Sequence, residues 1–212
     1  MQPILNDMNP VLQMLTVMTL FSLLPFAFCC MTCFLRFIIV FSLLKTAMGV
    51  QVPPSIVTLG LCMIMTFYTM GGVFEQMYER GSIPYQKSQN LILAIDEGSK
   101  PLKEFMMKQT RESDLSFFVE LKRKTPPKSP EDLTIWEVAP AYILSELKTA
   151  FEIGFVVFVP FIVLDLVVAN ILLALGMFML SPTIISLPFK LLIFIAVDGW
   201  ALIVQGLVQS YN

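Results

Sequence analysis

Glu152, Asp165, Lys190 and Asp198 are charges set inside long apolar runs, where a lipid-facing helix should carry none. A bare carboxylate at the centre of a bilayer costs at least roughly 2.5–3.5 kcal/mol on insertion scales. Asp165, flanked by Val163-Leu164 and Leu166-Val167-Val168, must therefore be paired, protonated or turned to a polar interior. Lys190, between Phe189 and Leu191, needs a partner for the same reason. Lys148 and Glu152 stand four residues apart and can meet locally on one helix face. Three chemistries compete for the remaining charges. A proton-coupled transporter would use Asp165 and Lys190 as an ion or proton site at a broken helix. An intramembrane enzyme would need a nucleophile and a base. An oligomeric channel or scaffold would use the charges as ion pairs between neighbouring subunits, and the residues favour this third use.

The enzyme reading lacks its parts. The chain has no histidine, which removes His-based triads, His general bases and most zinc sites. Neither a metal nor a cofactor is implied. Cys30-x-x-Cys33 has a redox spacing, but no βαβ pattern surrounds it. Cys29, Cys30, Cys33 and Cys62 all lie in apolar runs and read as small buried thiols. Met177-Phe178-Met179 is a different kind of candidate. Such a cluster is ordinarily core filler. Here it follows Gly176 and precedes Ser181-Pro182, at the tip of an apolar hairpin. Methionine has three rotatable bonds and repacks at low cost, so a ring of such tips could close a pore and still yield.

These residues are carried by a strongly apolar chain. It has 212 residues, 56% hydrophobic and 14% charged, with mean hydropathy +0.76. Soluble domains carry about 25% charged residues, so the composition points to an integral membrane protein. The formal charge of −2 implies neither nucleic-acid binding nor a polybasic anchor. The first apolar run, Val11 to Leu35, should kink at Pro25 and close at Arg36. A shorter run, Phe37 to Leu44, ends before Gly49 and Pro53-Pro54. Val11 to Met48 is then either one long helix or two broken ones. The next run is Ile56 to Phe74. Glu75 to Lys128 is polar, with ten Lys and Arg between Arg80 and Lys128. Within it Ser99 reads as a helix cap before Pro101, Asp114 as another, and Thr125-Pro126-Pro127 as a linker. The third run, Ala150 to Leu180, is interrupted by Pro160 and loosened by Gly176. The fourth is Ile184 to Val208, with Pro188 near its start. A segment in lipid must satisfy its own backbone, so the fold should be all-α. Four main apolar segments, kinked at proline, carry a small helical polar domain between segments two and three. The organisation is 1–74 (N-terminal apolar helices), 75–133 (polar helical domain) and 134–212 (C-terminal apolar hairpin).

Several blocks of the sequence carry a resemblance. Ser145 to Phe151, Pro160-Phe161 with Asp165 to Val168, Ala174 to Met177, Ile185 to Lys190 and Val197 to Trp200 resemble the type III secretion export-gate family called FliP in flagella and SctR in injectisomes. Leu43 to Gly49 with Pro53-Pro54, and Lys103 to Met106 with Gln109 to Glu112, extend it over essentially the whole chain. The resemblance implies a non-enzymatic protein of the bacterial inner-membrane export apparatus, in the basal body, with part of the assembly on the periplasmic side. It implies five copies joined with FliQ/SctS-type, FliR/SctT-type and FlhB/SctU-type subunits around a path for unfolded secreted substrates. The family's Met-rich constriction maps onto Met177, Phe178 and Met179, with Phe178 departing from the usual run of methionines. Glu146 and Lys190 become candidates for an ion pair between adjacent copies, with Asp165 and Asp198 as buried charges. The resemblance puts the polar domain on the periplasmic side, although its basic residues would suggest the cytoplasm. The positive-inside bias weakens for loops beyond about 60 residues. Many flagellar members begin with a cleavable signal sequence, and this chain starts almost at its first helix, so the expectation leans to the injectisome.

Overall fold

A computed structural model of the chain describes residues 10–50, 53–88, 91–122 and 132–211. The Thr125-Pro126-Pro127 linker lies outside the described residues. Eight α-helices make up the described fold, and no strand occurs among the described residues. They are α1 (Pro10–Met31), α2 (Phe34–Met48), α3 (Ser55–Ser88), α4 (Leu91–Gln109), α5 (Glu112–Lys122), α6 (Ile135–Ala174), α7 (Pro182–Ala196) and α8 (Gly199–Gln209). The fold is all-α, as the hydropathy pattern requires.

Among the described residues two helices, α3 over Ser55–Pro84 and α6, are long and apolar enough to cross a membrane. Two bent pairs, α1 with α2 and α7 with α8, bring the number to four if each counts as one span. At 1.5 Å per residue α6 is about 60 Å long, twice the thickness of a hydrocarbon core. The bends within these two pairs, at Thr32-Cys33 and Val197-Asp198, do not fall at proline. Pro25, Pro160 and Pro188 lie inside α1, α6 and α7.

The first break falls at Thr32-Cys33, so Val11 to Met48 is two helices. Its cause is one side chain. The Thr32 hydroxyl donates to the Phe28 carbonyl at 2.7 Å and accepts from the Phe34 N–H at 3.3 Å. It thereby satisfies an orphan acceptor at the end of α1 and an orphan donor at the start of α2. Arg36 does not close the run. It is buried in the first turn of α2. The second break, between α7 and α8, bends the chain by 63°. Asp198 sits there at φ 51°, and Gly199 follows under the Phe194 ring. A Cβ on Gly199 would lie 2.3 Å from that ring.

The chain forms two compact units. The first comprises Met1–Leu35 and Thr66–Glu146. Its core is Met106, Val119, Leu133, Val138, Ala139 and Tyr142, with Met31, Leu102, Phe105 and Leu115 packed around them. α3 and α4 approach closely at glycines: a Cβ on Gly98 would lie 3.2 Å from the Met77 carbonyl oxygen. Two cap expectations fail here. α4 runs unbroken through Ser99 and Pro101, and the Ser99 hydroxyl donates back to the Asp96 carbonyl at 2.9 Å. α5 starts two residues before Asp114. The buried Asp114 carboxylate instead accepts from the Ser145 hydroxyl at 2.8 Å, and that hydroxyl accepts from the Arg111 N–H at 3.0 Å. At the start of α6 the Glu137 carboxylate reaches back to accept from the Thr134 N–H at 2.7 Å, one half of a capping box.

The second unit comprises Arg36–Met65 and Leu147–Asn212. α2 is its spine: Phe37, Val40, Phe41, Leu44, Ala47 and Met48 are all buried. Leu43 fills the space over Gly154 of α6, where a Cβ would stand 2.3 Å from Leu43 Cδ1. Phe41 meets Trp200 of α8, which stacks edge-on to Phe194 of α7, which meets Phe161 of α6. Arg36 donates to Ser210 Oγ at 2.8 Å and lies 3.8 Å over the Tyr211 ring, a cation–π contact.

Candidate functional site

The second unit presents an apolar hairpin, α6 and α7, joined by residues 175–181. α6 ends in a Schellman motif. The Met177 N–H donates to the Leu172 carbonyl at 2.9 Å and the Gly176 N–H to the Leu173 carbonyl at 3.0 Å. Gly176 has φ +73°, a conformation that only glycine adopts cheaply. Gly176 therefore fixes a sharp stop rather than loosening the helix end. On the far side Ser181 sits at the N-cap in extended conformation and Pro182 opens α7, where its missing N–H costs nothing.

Between these two stops the tip is bare. Met177 is 45% exposed, Phe178 77% and Met179 100%. Core filler would be covered, and in this chain these three side chains are not. Large apolar side chains remain exposed along both arms, among them Phe155, Val163 and Leu166 on α6 and Ile184, Phe189 and Ile195 on α7. A monomer in water rarely shows so much contiguous apolar surface, so lipid, a partner chain or both must cover it.

The charges come together on the inner side of the same hairpin. On α6 the buried positions after Ala150 are Gly154, Phe161, Val168 and Leu172, a narrow stripe near seven-residue spacing. Asp165 falls on that stripe, its side chain 33% exposed. Lys190 of α7 is 2% exposed and donates to Asp165 Oδ2 at 2.7 Å. Its ammonium also donates to the Ala47 carbonyl at the end of α2, at 2.9 Å. The buried Ser186 hydroxyl donates to Asp165 Oδ1 in a very short hydrogen bond. These charge-assisted bonds satisfy groups that could not stay bare in an apolar setting. Asp165 and Lys190, each expected to need a partner, are each other's partner. Ser186 is the residue that the sequence reading missed. It stands four residues before Lys190, hence on the same face of α7, and that spacing was the available signal.

The other expected residues lie elsewhere. Glu146 is fully buried in the first unit. Asp198 is not a buried charge in this chain: it is exposed, because the bend between α7 and α8 turns it outward at the N-cap of α8. A carboxylate is at ease there beside the positive end of the helix dipole. Among the described residues no group of three or more His, Cys, Asp and Glu could hold a metal ion.

Two comparisons with known proteins bear on this hairpin. A sequence profile described as the FliP family matches residues 17–207. The chain is 46% identical over 201 residues to the flagellar biosynthetic protein FliP of Pectobacterium carotovorum subsp. carotovorum, covering 94% of this chain and 78% of that protein. It is 41% identical over 208 residues to the flagellar biosynthetic protein FliP of Bacillus subtilis (strain 168), covering 97% and 94%. It is 39% identical over 209 residues to the Yop proteins translocation protein R of Yersinia pestis, covering 95% and 96%.

Proposed function

The chain belongs to the FliP family, and on that premise we propose that its α6–α7 hairpin helps to wall and close a protein-conducting pore. Members of this family are structural parts of the type III export apparatus, so this chain is a membrane component of that apparatus and not an enzyme. The relatives span both flagellar and injectisome systems, the higher identities being to flagellar proteins.

The finer reading is ours. Five copies of the chain join FliQ/SctS-type, FliR/SctT-type and FlhB/SctU-type subunits in the bacterial inner membrane. Unfolded substrates pass through the centre, and residues 75–133 form a polar region on the periplasmic side. One observation carries this reading: Met177, Phe178 and Met179 stand bare at the tip of a hairpin whose two ends are stereochemically fixed. Two soft methionines, beside the bulkier and stiffer Phe178, on a rigid mount suit a barrier that must seal and then yield. The exposed apolar arms supply the surface that neighbouring copies cover. Lys190 is engaged by Asp165 and Ala47 of its own chain, and it and Glu146 are both buried within one chain, so a pair between adjacent copies would need both side chains to come to the surface on assembly. A proton-coupled transporter would need Asp165 open to a water path. Here Lys190 and Ser186 both engage it, which favours the structural reading.

A native mass measurement of the complex purified with its companion subunits tests the assembly. Five copies of this chain with those companions is the expected result. A monomer, or a complex without them, contradicts the reading.

A further inference from the structure

We propose that Asp165, Ser186 and Lys190 form a clamp that sets the position of the 175–181 tip, so that the barrier is held from residues outside it. The inference rests on reading Met177-Phe178-Met179 as the gate. Three elements meet at the clamp. Asp165 belongs to α6, Ser186 and Lys190 to α7, and the Ala47 carbonyl to the last turn of α2. That carbonyl is one of the four left without an intrahelical partner at a helix C-terminus. It also lies at the negative end of the dipole, where an ammonium is favoured. The Lys190 ammonium therefore ties α7 to α2 and to α6 at one point. Next to it the end of α2 meets the root of the tip: a Cβ on Gly49 would lie 3.7 Å from Thr183 Cγ2.

Between its two helix stops the tip makes few side-chain contacts. A Cβ on Gly176 would meet nothing within 4 Å, and Met179 is wholly exposed. Beside the clamp the two arms do not zip together. An apolar cavity of about 500 Å³ opens between them, lined by Leu164, Val168, Ile171, Leu172, Phe189 and Leu192 among others. Packing along this length is therefore incomplete, and the hydrogen-bonded charges do the positioning that side-chain contact would otherwise do. Asp165 and Lys190 are positioning residues: they touch no substrate, and they act through the tip.

Closed-state ion conductance of the assembled complex in planar bilayers, normalised to complex recovered from a native gel, tests the clamp. Asp165→Asn and Lys190→Met each weaken the bias toward the closed tip and raise the leak roughly tenfold, the change expected when one charged contact no longer favours one of two states. The double variant leaks no more than either single one, because both act through the same clamp. Ser186→Ala keeps the ion pair and raises the leak less. Asp165→Glu keeps the charge and restores part of the seal. A control separates this inference from the reading beneath it. Met177, Phe178 and Met179 all changed to Ala must leak; if they do not, the gate reading fails and the clamp with it. If they leak while Asp165→Asn and Ser186→Ala stay at the wild-type level per complex, the gate stands and the clamp is overturned. Should Asp165→Asn fail to assemble, Ser186→Ala decides, and a wild-type leak from it overturns the clamp.

Discussion

One helix, α6, lives in two regimes. From Ile135 to Ala150 it is wrapped on most sides: Glu137, Val138, Ala139, Ala141, Tyr142, Ser145, Glu146 and Ala150 are buried. Its polar groups there have named partners, Glu137 with Thr134 and Ser145 with Asp114 and Arg111. From Phe151 to Ala174 burial shrinks to a narrow stripe, and Phe151, Phe155, Val156, Val163 and Leu166 stand exposed. The first stretch belongs to a core that one chain completes. The second carries an apolar surface that one chain leaves uncovered. Hydropathy alone would rank the second stretch as the more deeply buried. Burial within a single chain and apolarity are different quantities, and the gap between them marks where lipid or partners bind.

The comparison can be broken first at Tyr142. It is fully buried in the core of the first unit and meets the Phe105 ring. Tyr142→Ala should cost about 3–5 kcal/mol, as truncation of a buried aromatic side chain does. Denaturant melts of the detergent-solubilised protein would read this as a large drop in midpoint; an unchanged midpoint would mean that the first stretch is not a self-sufficient core. Gly154 probes the narrow stripe. Leu43 Cδ1 is the atom nearest a new Cβ, and it ends a flexible side chain, so Gly154→Val should cost about 1–3 kcal/mol by overpacking in the same assay. Phe155, 68% exposed, separates the regimes most sharply. Phe155→Ser should change the melt of the chain by less than about 0.5 kcal/mol, as at an ordinary exposed site. It should nevertheless lower the yield of assembled complex on a native gel. A large melt shift with normal assembly would reverse the assignment of the two stretches.

The smallest effect belongs to an exposed pair in the polar region. Glu97 accepts a hydrogen bond from Lys100 and holds that ammonium above the usual lysine range. A raised lysine pKa stabilises below the unfolded value and loses that contribution as pH rises through the folded one. The pair should thus add no pH dependence between pH 6 and about 9, well below the reference value near 10.4. Lys100→Met should leave the pH profile of the melt unchanged over that window.

Much of this fold was legible. Long apolar runs dictate helices, because a chain in lipid has no other way to satisfy its backbone. The polar stretch between Glu75 and Lys128 was equally plain from its charge, although α3 runs past Phe74 without a break. The breaks were legible only in part: Gly49 with Pro53-Pro54 parts α2 from α3 and Ser181-Pro182 leads into α7, as the sequence suggests, but the bends at Thr32-Cys33 and Val197-Asp198 were not. Ser99 is a strong local signal, yet α4 runs through it, while Thr32 ends a helix by bonding on both sides. Propensity describes a residue's neighbours in sequence, and tertiary packing overrides it. The importance of α2 was hidden too. Phe37 to Leu44 read as a short run, and its role as a spine comes from long-range contacts with Gly154, Trp200 and Lys190. At the site, the need for partners at Asp165 and Lys190 followed from desolvation alone. Their pairing with each other did not, because it depends on how the arms register across the turn. The tip residues were picked out by position and by resemblance; spacing alone could not separate a gate from core filler. Asp198 misled because its sequence neighbours are apolar, whereas a left-handed backbone at the bend turns it outward.

The central claim is that the bare tip seals a pore. Planar-bilayer conductance of the complete complex, carrying Ala at Met177, Phe178 and Met179 together, tests it most directly. Removal of the three bulky side chains should raise closed-state ion conductance per complex well above that of the unmodified assembly. Conductance equal to the unmodified level, from a complex of normal composition, would contradict it.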